Sequence, residues 1–357
     1  MCIRCLNYLY RKEIEMKNVT MVVAFIYCLC ACADMARIGA YVIDAVTQEP
    51  IPNIKVSSSF SNDNGWKAWT ESAPIYHDTQ ETDENGFCTL KGKTNIGRAG
   101  CGVDKQGTKY YGAGGRGFQF TEKSLFGVWQ PDNLVATIRL QRVEHPIPLF
   151  VKNAASKVSP GTFDGTNSVL RYDLVQGDWL PPEGKGEHAD LEIRTKLTID
   201  EVLRVGRTRK KVFFEFRNEV DFVGEGNGCR EEMVAPTAGI KLRVAPDAGY
   251  TGKIVKRFGV RRKIVGPNVN QDCYSDSDSN RCYYFRIRSR FDDKGNLVEA
   301  YYGKIYSDFN FHGRWDFGFR GVDFLYYLNP TPLDRNLEWD MKTNLCQGVG
   351  KYEGRQP

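Results

Sequence analysis

The chain has 357 residues, 41% of them hydrophobic, 26% charged and 12% aromatic, a balance that excludes wholesale disorder. That length leaves room for two or three domains with a sizeable buried core. The formal net charge of +5 falls to 45 basic against 42 acidic residues without positions 1–33, too even a balance to argue for nucleic acid or an anionic membrane as partner.

In chain order, the first element is a leader. Lys17 precedes the apolar run Val19–Ala31 (VTMVVAFIYCLCA), long enough for a signal-peptide core and short for a bilayer span. Ala31-Cys32-Ala33 then supplies small residues for a signal peptidase cleft, so residues 1–33 are expected to be a signal peptide, with Met16 the more natural start. Two other readings stay open. Leu29-Cys30-Ala31-Cys32 resembles a bacterial lipobox in which Cys32 would be lipidated, although Cys30 is unusual there; a buried N-terminal helix is the third. The expectation is export to the periplasm, the cell surface or the medium.

Beyond the leader six cysteines remain: Cys88, Cys101, Cys229, Cys273, Cys282 and Cys346. An even number in an exported chain reads as disulfides, and six allow fifteen connectivities. Cys273 and Cys282 bracket a short polar loop and are the pair expected to join. No CxxC occurs among the six, which speaks against a zinc ribbon or a thioredoxin-type site.

From Ile38 the pattern is strand, turn, strand. Tyr41, Ile43 and Ala45 alternate with Val42, Asp44 and Val46, and Thr47-Gln48-Glu49-Pro50 ends the run. Ile54–Ser59 resumes as a strand, and Asp83-Glu84-Asn85-Gly86 is a turn that leads into Phe87–Leu90. Val42, Asp44, Thr47, Glu49, Pro50, Ile51, Pro52 and Val56, followed by Thr82, Asp83, Gly86 and Phe87, resemble the carboxypeptidase regulatory-like domain. Phe87 stands one position earlier than the family's wording has it, and Ala40, Gln48 and Asn53 stand where that family favours glycine. The resemblance covers about residues 36–151 and implies a seven-stranded transthyretin-like (Ig-like) β-sandwich. In that family the domain is a non-catalytic appendage, so it supplies no active-site residue.

Asp132–Leu140 is expected to close this sandwich, Val143–Val151, with its two prolines, to be an extended connector, and residues 152–162 to be a linker. Residues 163–346 then form a second unit of recurring strands, read as a larger antiparallel β-sandwich or jelly-roll-like domain that resembles no characterised family. Within it Glu201–Val205 is a candidate helical turn, Asp292–Asn296 a hairpin turn with Gly295 at positive φ, and residues 347–357 a C-terminal tail. The fold class is therefore all-β.

The chemistry is less legible. There is no GxSxG elbow, HExxH or SxxK motif, and His77, His145, His188 and His312 are scattered. Asp308, Asp316, Asp323 and Glu338 lie near aromatics and could serve glycoside hydrolysis, which needs two carboxylates about 5–10 Å apart. Asp276, Asp278 and Asn280 form an alternating oxygen-ligand run of the kind calcium loops use, but Arg281 and Cys282 stand where a turn glycine belongs; the rival reading is a polar hairpin tip. Trp66, Trp69 and Tyr76, with Tyr110 and Tyr111 later, could form an aromatic platform for sugar rings, or fold their loop back onto its own sandwich; Trp315 and Trp339 read as core. The basic runs Arg207–Lys211 and Arg257–Lys263 flank strands with acidic residues following, and read as solvated turns rather than a nucleic-acid surface.

These residues point to a non-enzymatic exported bacterial protein, a binding or structural module at the cell surface or in the periplasm. The alternative is a secreted carbohydrate-active or glycan-binding protein with a carboxylate site in its second domain. No cofactor is implied. The expected partners are a glycan or another surface protein, with no nucleic acid, and a membrane only through a lipid anchor.

Overall fold

The computed structural model describes residues 34–63, 74–103, 110–111, 115–124, 127–132, 134–155, 167–205, 209–234, 242–265, 268–314 and 318–346. Among these residues the fold is all-β with no helix, in two units that divide after Arg142.

The first unit contains β1 (Met35–Asp44), β2 (Lys55–Ser61), β3 (Tyr76–Glu81), β4 (Phe87–Lys93), β5 (Arg98–Val103), β6 (Tyr110–Tyr111), β7 (Arg116–Gln119), β8 (Glu122–Lys123), β9 (Trp129–Gln130) and β10 (Leu134–Arg142). They form two four-stranded sheets, β4-β1-β10-β6 and β3-β2-β5-β7, with β8 and β9 as a small ribbon. The cause is a two-residue period. Ala36, Ile38, Ala40 and Val42 of β1 are fully buried, and Ala136, Ile138 and Leu140 of β10 lie beside them across a parallel ladder. Val56 and Phe60 of β2, with Ala99, Cys101 and Val103 of β5, join them in one core, which makes the pair of sheets a sandwich.

The residues around the first turns tie this sandwich together. Asp44 accepts the Val46 and Thr47 amides at 2.8 and 3.1 Å, and Asp83 accepts those of Asn85 and Phe87 at 2.9 Å each. Buried Thr82 donates to the Ile51 carbonyl and accepts the Ile54 amide. Gln48 and Asn53 both adopt left-handed backbone, so two of the three positions lacking glycine keep a glycine-like conformation, while Ala40 is ordinary strand in β1. Gln48 compensates by donating its side-chain amide to the Ala45 carbonyl at 2.8 Å. At Gly86, φ is +69° and a Cβ would lie 2.5 Å from the Val42 carbonyl oxygen. Gly86→Ala should therefore lower stability by about 1–3 kcal/mol, read as a fall in the urea midpoint; an unchanged midpoint would contradict this geometry.

The second unit contains β11 (Ile147–Ala155), β12 (Asn167–Asp173), β13 (Asp178–Trp179), β14 (Leu191–Val205), β15 (Arg209–Phe222), β16 (Gly228–Met233), β17 (Lys253–Val265), β18 (Asn268–Ser275), β19 (Arg281–Phe291), β20 (Leu297–Arg314), β21 (Gly318–Leu328) and β22 (Trp339–Asn344). Two six-stranded sheets, β16-β19-β20-β21-β11-β22 and β13-β12-β14-β15-β17-β18, pack around a shared aromatic core that includes Tyr172, Trp179, Phe216, Phe285, Phe309 and Phe324.

Two local expectations are corrected. Val143–Val151 is no connector: Leu149 and Val151 are fully buried, and β11 sits between β21 and β22 inside a sheet of the second unit. Pro148 is accommodated at a register shift between Ile147 and Leu149, where the ladder needs no donor. Glu201–Val205 is strand rather than helical turn, because it pairs with residues 209–213 across a hairpin after a bulge at Ile199/Glu201. The Asp292–Asn296 turn joins β19 to β20, with Gly295 at φ +81° and Asp292 accepting the Lys294 and Asn296 amides.

Candidate functional site

The most concentrated polar chemistry lies inside the second unit, where three charged clusters interrupt apolar strands. The first arises from a lysine in phase with core residues. Ile254, Lys256 and Phe258 share one face of β17, so the Lys256 side chain enters the core and is 4% exposed. Opposite, β20 shifts register between Tyr306 and Asn310, with Ser307 at φ +71°, and Asp308 is buried there. Lys256 Nζ lies 2.9 Å from Asp308 Oδ2, joining strands of the two sheets. Arg281 donates to the same oxygen at 2.9 Å, as does the Asp278 amide at 3.1 Å. Asp308 Oδ1 accepts the Tyr283 hydroxyl at 3.0 Å and the Phe309 amide at 2.8 Å. Burial and the adjacent Asp308 carboxylate push the Tyr283 phenol far above its ordinary value, so it stays neutral. A cleft of about 410 Å³ adjoins this cluster, lined among others by Cys229, Glu231, Thr251, Lys256, Arg281 and Tyr283.

The second cluster places Arg288 between Asp173 and Asp190, with Nη2 2.8 Å from Asp173 Oδ1 and Nε 2.8 Å from Asp190 Oδ1. Both carboxylates are almost fully buried and hold loop amides as well: Asp190 that of Leu174, Asp173 those of Val175, Gln176 and His188. In the third, Arg243 pairs with Glu338 and Glu144, and Glu338 also accepts the Glu144 and His145 amides. Fully buried Lys304 donates to the Leu242 and Leu337 carbonyls at 2.8 and 3.0 Å.

Each described carboxylate of the expected set has its own partners. Asp308 is saturated by its own cations and amides, Glu338 pairs with Arg243 through Oε1 and accepts two amides at Oε2, and Asp323 bonds His312 at 2.7 Å on a partly exposed strand. Asp316 and Trp315 lie outside the described residues, while Trp339 is core, packed on Tyr327. A carboxylate that accepts five hydrogen bonds, as Asp308 does, offers no lone pair for nucleophilic attack or general-base work without dismantling the cluster. The three clusters hold strands and loops together.

The other expected sites fare differently. Trp66 and Trp69 lie outside the described residues, as do the leader and Cys32. Tyr76 opens β3, exposed and opposite Phe60; Tyr111 is buried, and Tyr110 accepts from Arg142 at 3.3 Å. Asp276 accepts the Arg257 amide and Asp278 that of Asn280, within the connection from β18 to β19. Among the described residues no group of three or more His, Cys, Asp or Glu side chains is placed to hold a metal ion.

The expected Cys273–Cys282 disulfide is absent, and none of the six cysteines past the leader is disulfide-bonded. The loop between the two cysteines links strands of opposite sheets: Cys273 is exposed on β18, and Cys282 is buried on β19, where its sulfur accepts the Ser307 amide at 3.4 Å. Burial pushes the Cys88 and Cys101 thiols up to about 11 each, and Cys229 up to about 12. Iodoacetamide should thus label Cys273 in the native chain and reach Cys88, Cys101 and Cys229 only after unfolding. Peptide mapping checks this, and a Cys273–Cys282 linked peptide would contradict it.

Residue reasoning missed Lys256, Arg281, Asp173, Asp190 and Arg288. The one visible signal was Lys256, standing in register with Ile254 and Phe258 of an alternating strand.

No family model matches the chain, and no curated protein matches it. Among solved structures it is similar to a double mutant of the shaft pilin SpaA from Lactobacillus rhamnosus GG, at 10% identity and a TM-score of 0.22, covering 54% of this chain and 89% of that one. It is also similar to BcpA, the major pilin subunit of Bacillus cereus, at 10% identity and a TM-score of 0.21, covering 82% of this chain and 95% of that one. Likeness at this level assigns no role.

Proposed function

We propose that the chain is a non-enzymatic exported protein, a binding or structural module of the bacterial cell surface or periplasm. The observation that carries this reading is the use of its buried ionisable groups. Asp308, Asp173, Asp190 and Glu338 are each spent on a buried or half-buried cation and on backbone amides that tie strands and loops together. Catalytic carboxylates instead face a cleft with a lone pair or proton to exchange. Export is supported by the leader pattern of residues 1–33, and the carboxypeptidase regulatory-like reading of the first unit by the turn residues Asp44, Thr82, Asp83 and Gly86, all of which serve architecture.

The test has two arms. Fractionation of cells expressing the full chain should recover it outside the cytoplasm. A panel of polysaccharides incubated with the chain should show no release of reducing ends above blank. Cytoplasmic recovery would overturn the compartment, and turnover lost on Asp323→Asn or Glu338→Gln would favour the carbohydrate-active alternative.

A further inference from the structure

Lys210–Lys211 and Arg261–Lys263, from the two basic runs, stand some fifty residues apart in the sequence, yet the fold brings them to one end of one sheet. β15 pairs with β17 from Asp221↔Lys253 as far as Phe214↔Val260. Past that point the β14–β15 hairpin runs on to Val205↔Arg209 and the β17–β18 hairpin to Val265↔Asn268, each paired only with itself. Side chains tie the two extensions together: Lys211 donates to the Val269 carbonyl, Gln271 to that of Val212 at 3.1 Å, and Arg262 lies 3.4 Å from Glu201.

This end carries two kinds of exposed side chain. Arg204, Lys210, Arg261, Arg262 and Lys263 are all exposed. Arg261 has Asp272 and Arg262 has Glu201 as partners, whereas no carboxylate of the described residues lies within ion-pair distance of Arg204, Lys210 or Lys263. Counting Lys211, six basic residues face only Asp200, Glu201 and Asp272. The near-even charge of the whole chain conceals this segregation. Among the cations stand Ile199, Val202, Ile264 and Val265, with Ile264 70% exposed, the highest value among the large hydrophobic residues described.

We propose that this pair of hairpin ends is a docking surface for an anionic lipid bilayer. The cations would meet acidic headgroups, and the four aliphatic side chains would enter the boundary between headgroups and acyl chains. Charge complementarity selects an acidic partner, with each exposed cation near such a surface strengthening binding about fivefold. The apolar component selects a bilayer over a soluble polyanion. Exposed valine and isoleucine gain from leaving water for hydrocarbon, whereas a single-stranded nucleic acid is gripped by aromatic faces. Every exposed large hydrophobic residue on these four strands is aliphatic.

The experiment is co-sedimentation of the chain lacking residues 1–33 with vesicles of phosphatidylcholine alone, or mixed equally with phosphatidylglycerol. Binding is expected only to the anionic vesicles and should fall steeply as salt rises toward 0.5 M, about the concentration at which charge attraction is screened within a few ångströms. The triple variant Arg261→Gln, Arg262→Gln, Lys263→Gln should weaken binding about a hundredfold, and Ile264→Asp with Val265→Asp at least tenfold. Lys196→Gln, at an exposed position well before the end of the same sheet, should leave it unchanged. All these side chains are exposed, and a thermal melt on each variant separates lost binding from lost fold. No sedimentation of the parent chain with anionic vesicles overturns the proposal. So does equal binding by folded triple or double variants, a self-associated state in which the patch is covered by a second copy, or capture of a soluble polyanion without capture of vesicles.

Discussion

Asp308→Ala should lower the stability of the second unit by about 3–5 kcal/mol, the range found when one partner of a buried pair is removed. The reason is what it leaves behind. Lys256 has its side chain 4% exposed among Tyr283 and core strands, and among the described residues its one ion-pair partner is Asp308. Without that carboxylate the charge is buried without compensation, and Tyr283, Arg281 and the Asp278 and Phe309 amides lose an acceptor together. Lys256→Met should cost less, because Asp308 then keeps Arg281, the Tyr283 hydroxyl and two amides. The double variant should be more stable than Asp308→Ala alone, since no unpaired cation remains. Urea unfolding of the four proteins closes the cycle and gives the pair's coupling. A loss under 1 kcal/mol for Asp308→Ala would show that water reaches Lys256 and that the cluster is not a buried staple.

The strands of this protein were legible because their burial alternates with period two. Ile38, Ala40 and Val42 announce β1, and the same rule gives β2, β4 and β10. The Asp83–Gly86 turn was legible because only certain residues close such turns, and the structure uses each as its chemistry requires. What the residues hid was non-local. Pro146 and Pro148 spoke against an inner strand, yet β11 places Pro148 where the ladder shifts register. Cys273 and Cys282 are neighbours along the chain but belong to different sheets, so sequence proximity misled. Asp308 read as one acidic residue among aromatics because the irregularity around Ser307 that turns it inward has no residue signature. The two basic runs read as ordinary turns because their adjacency depends on β15 pairing with β17 across an intervening segment.

The second cluster, Arg288 with Asp173 and Asp190, has an expected effect of definite sign. Arg288→Met keeps the length of the side chain and removes the guanidinium held by Asp173 and Asp190, leaving two buried carboxylates with only backbone amides. At pH 7.5 the loss should be about 3–5 kcal/mol. Already in the parent chain, burial pushes the Asp190 carboxyl up, against the downward pull of Arg288. A carboxyl raised in the folded state binds its proton more tightly there than in the unfolded chain. Its contribution is therefore fully favourable below the ordinary carboxylate value of about 4 and is lost as pH rises through the raised folded value. Removing Arg288 takes away the opposing pull, so Asp190 should rise further and the window should extend toward neutrality. The variant should accordingly regain part of its stability between pH 7.5 and pH 5, by a larger margin than the parent over the same interval. Arg288→Lys, which restores charge without the two-pronged geometry, should fall between them at pH 7.5. Denaturation midpoints of the three proteins at both pH values decide the matter. A variant whose stability changes between pH 7.5 and pH 5 no differently from the parent's would mean that Asp173 and Asp190 are hydrated once the arginine is gone, and that the loops they hold at Leu174–Gln176 and His188 are anchored by something other than this triad.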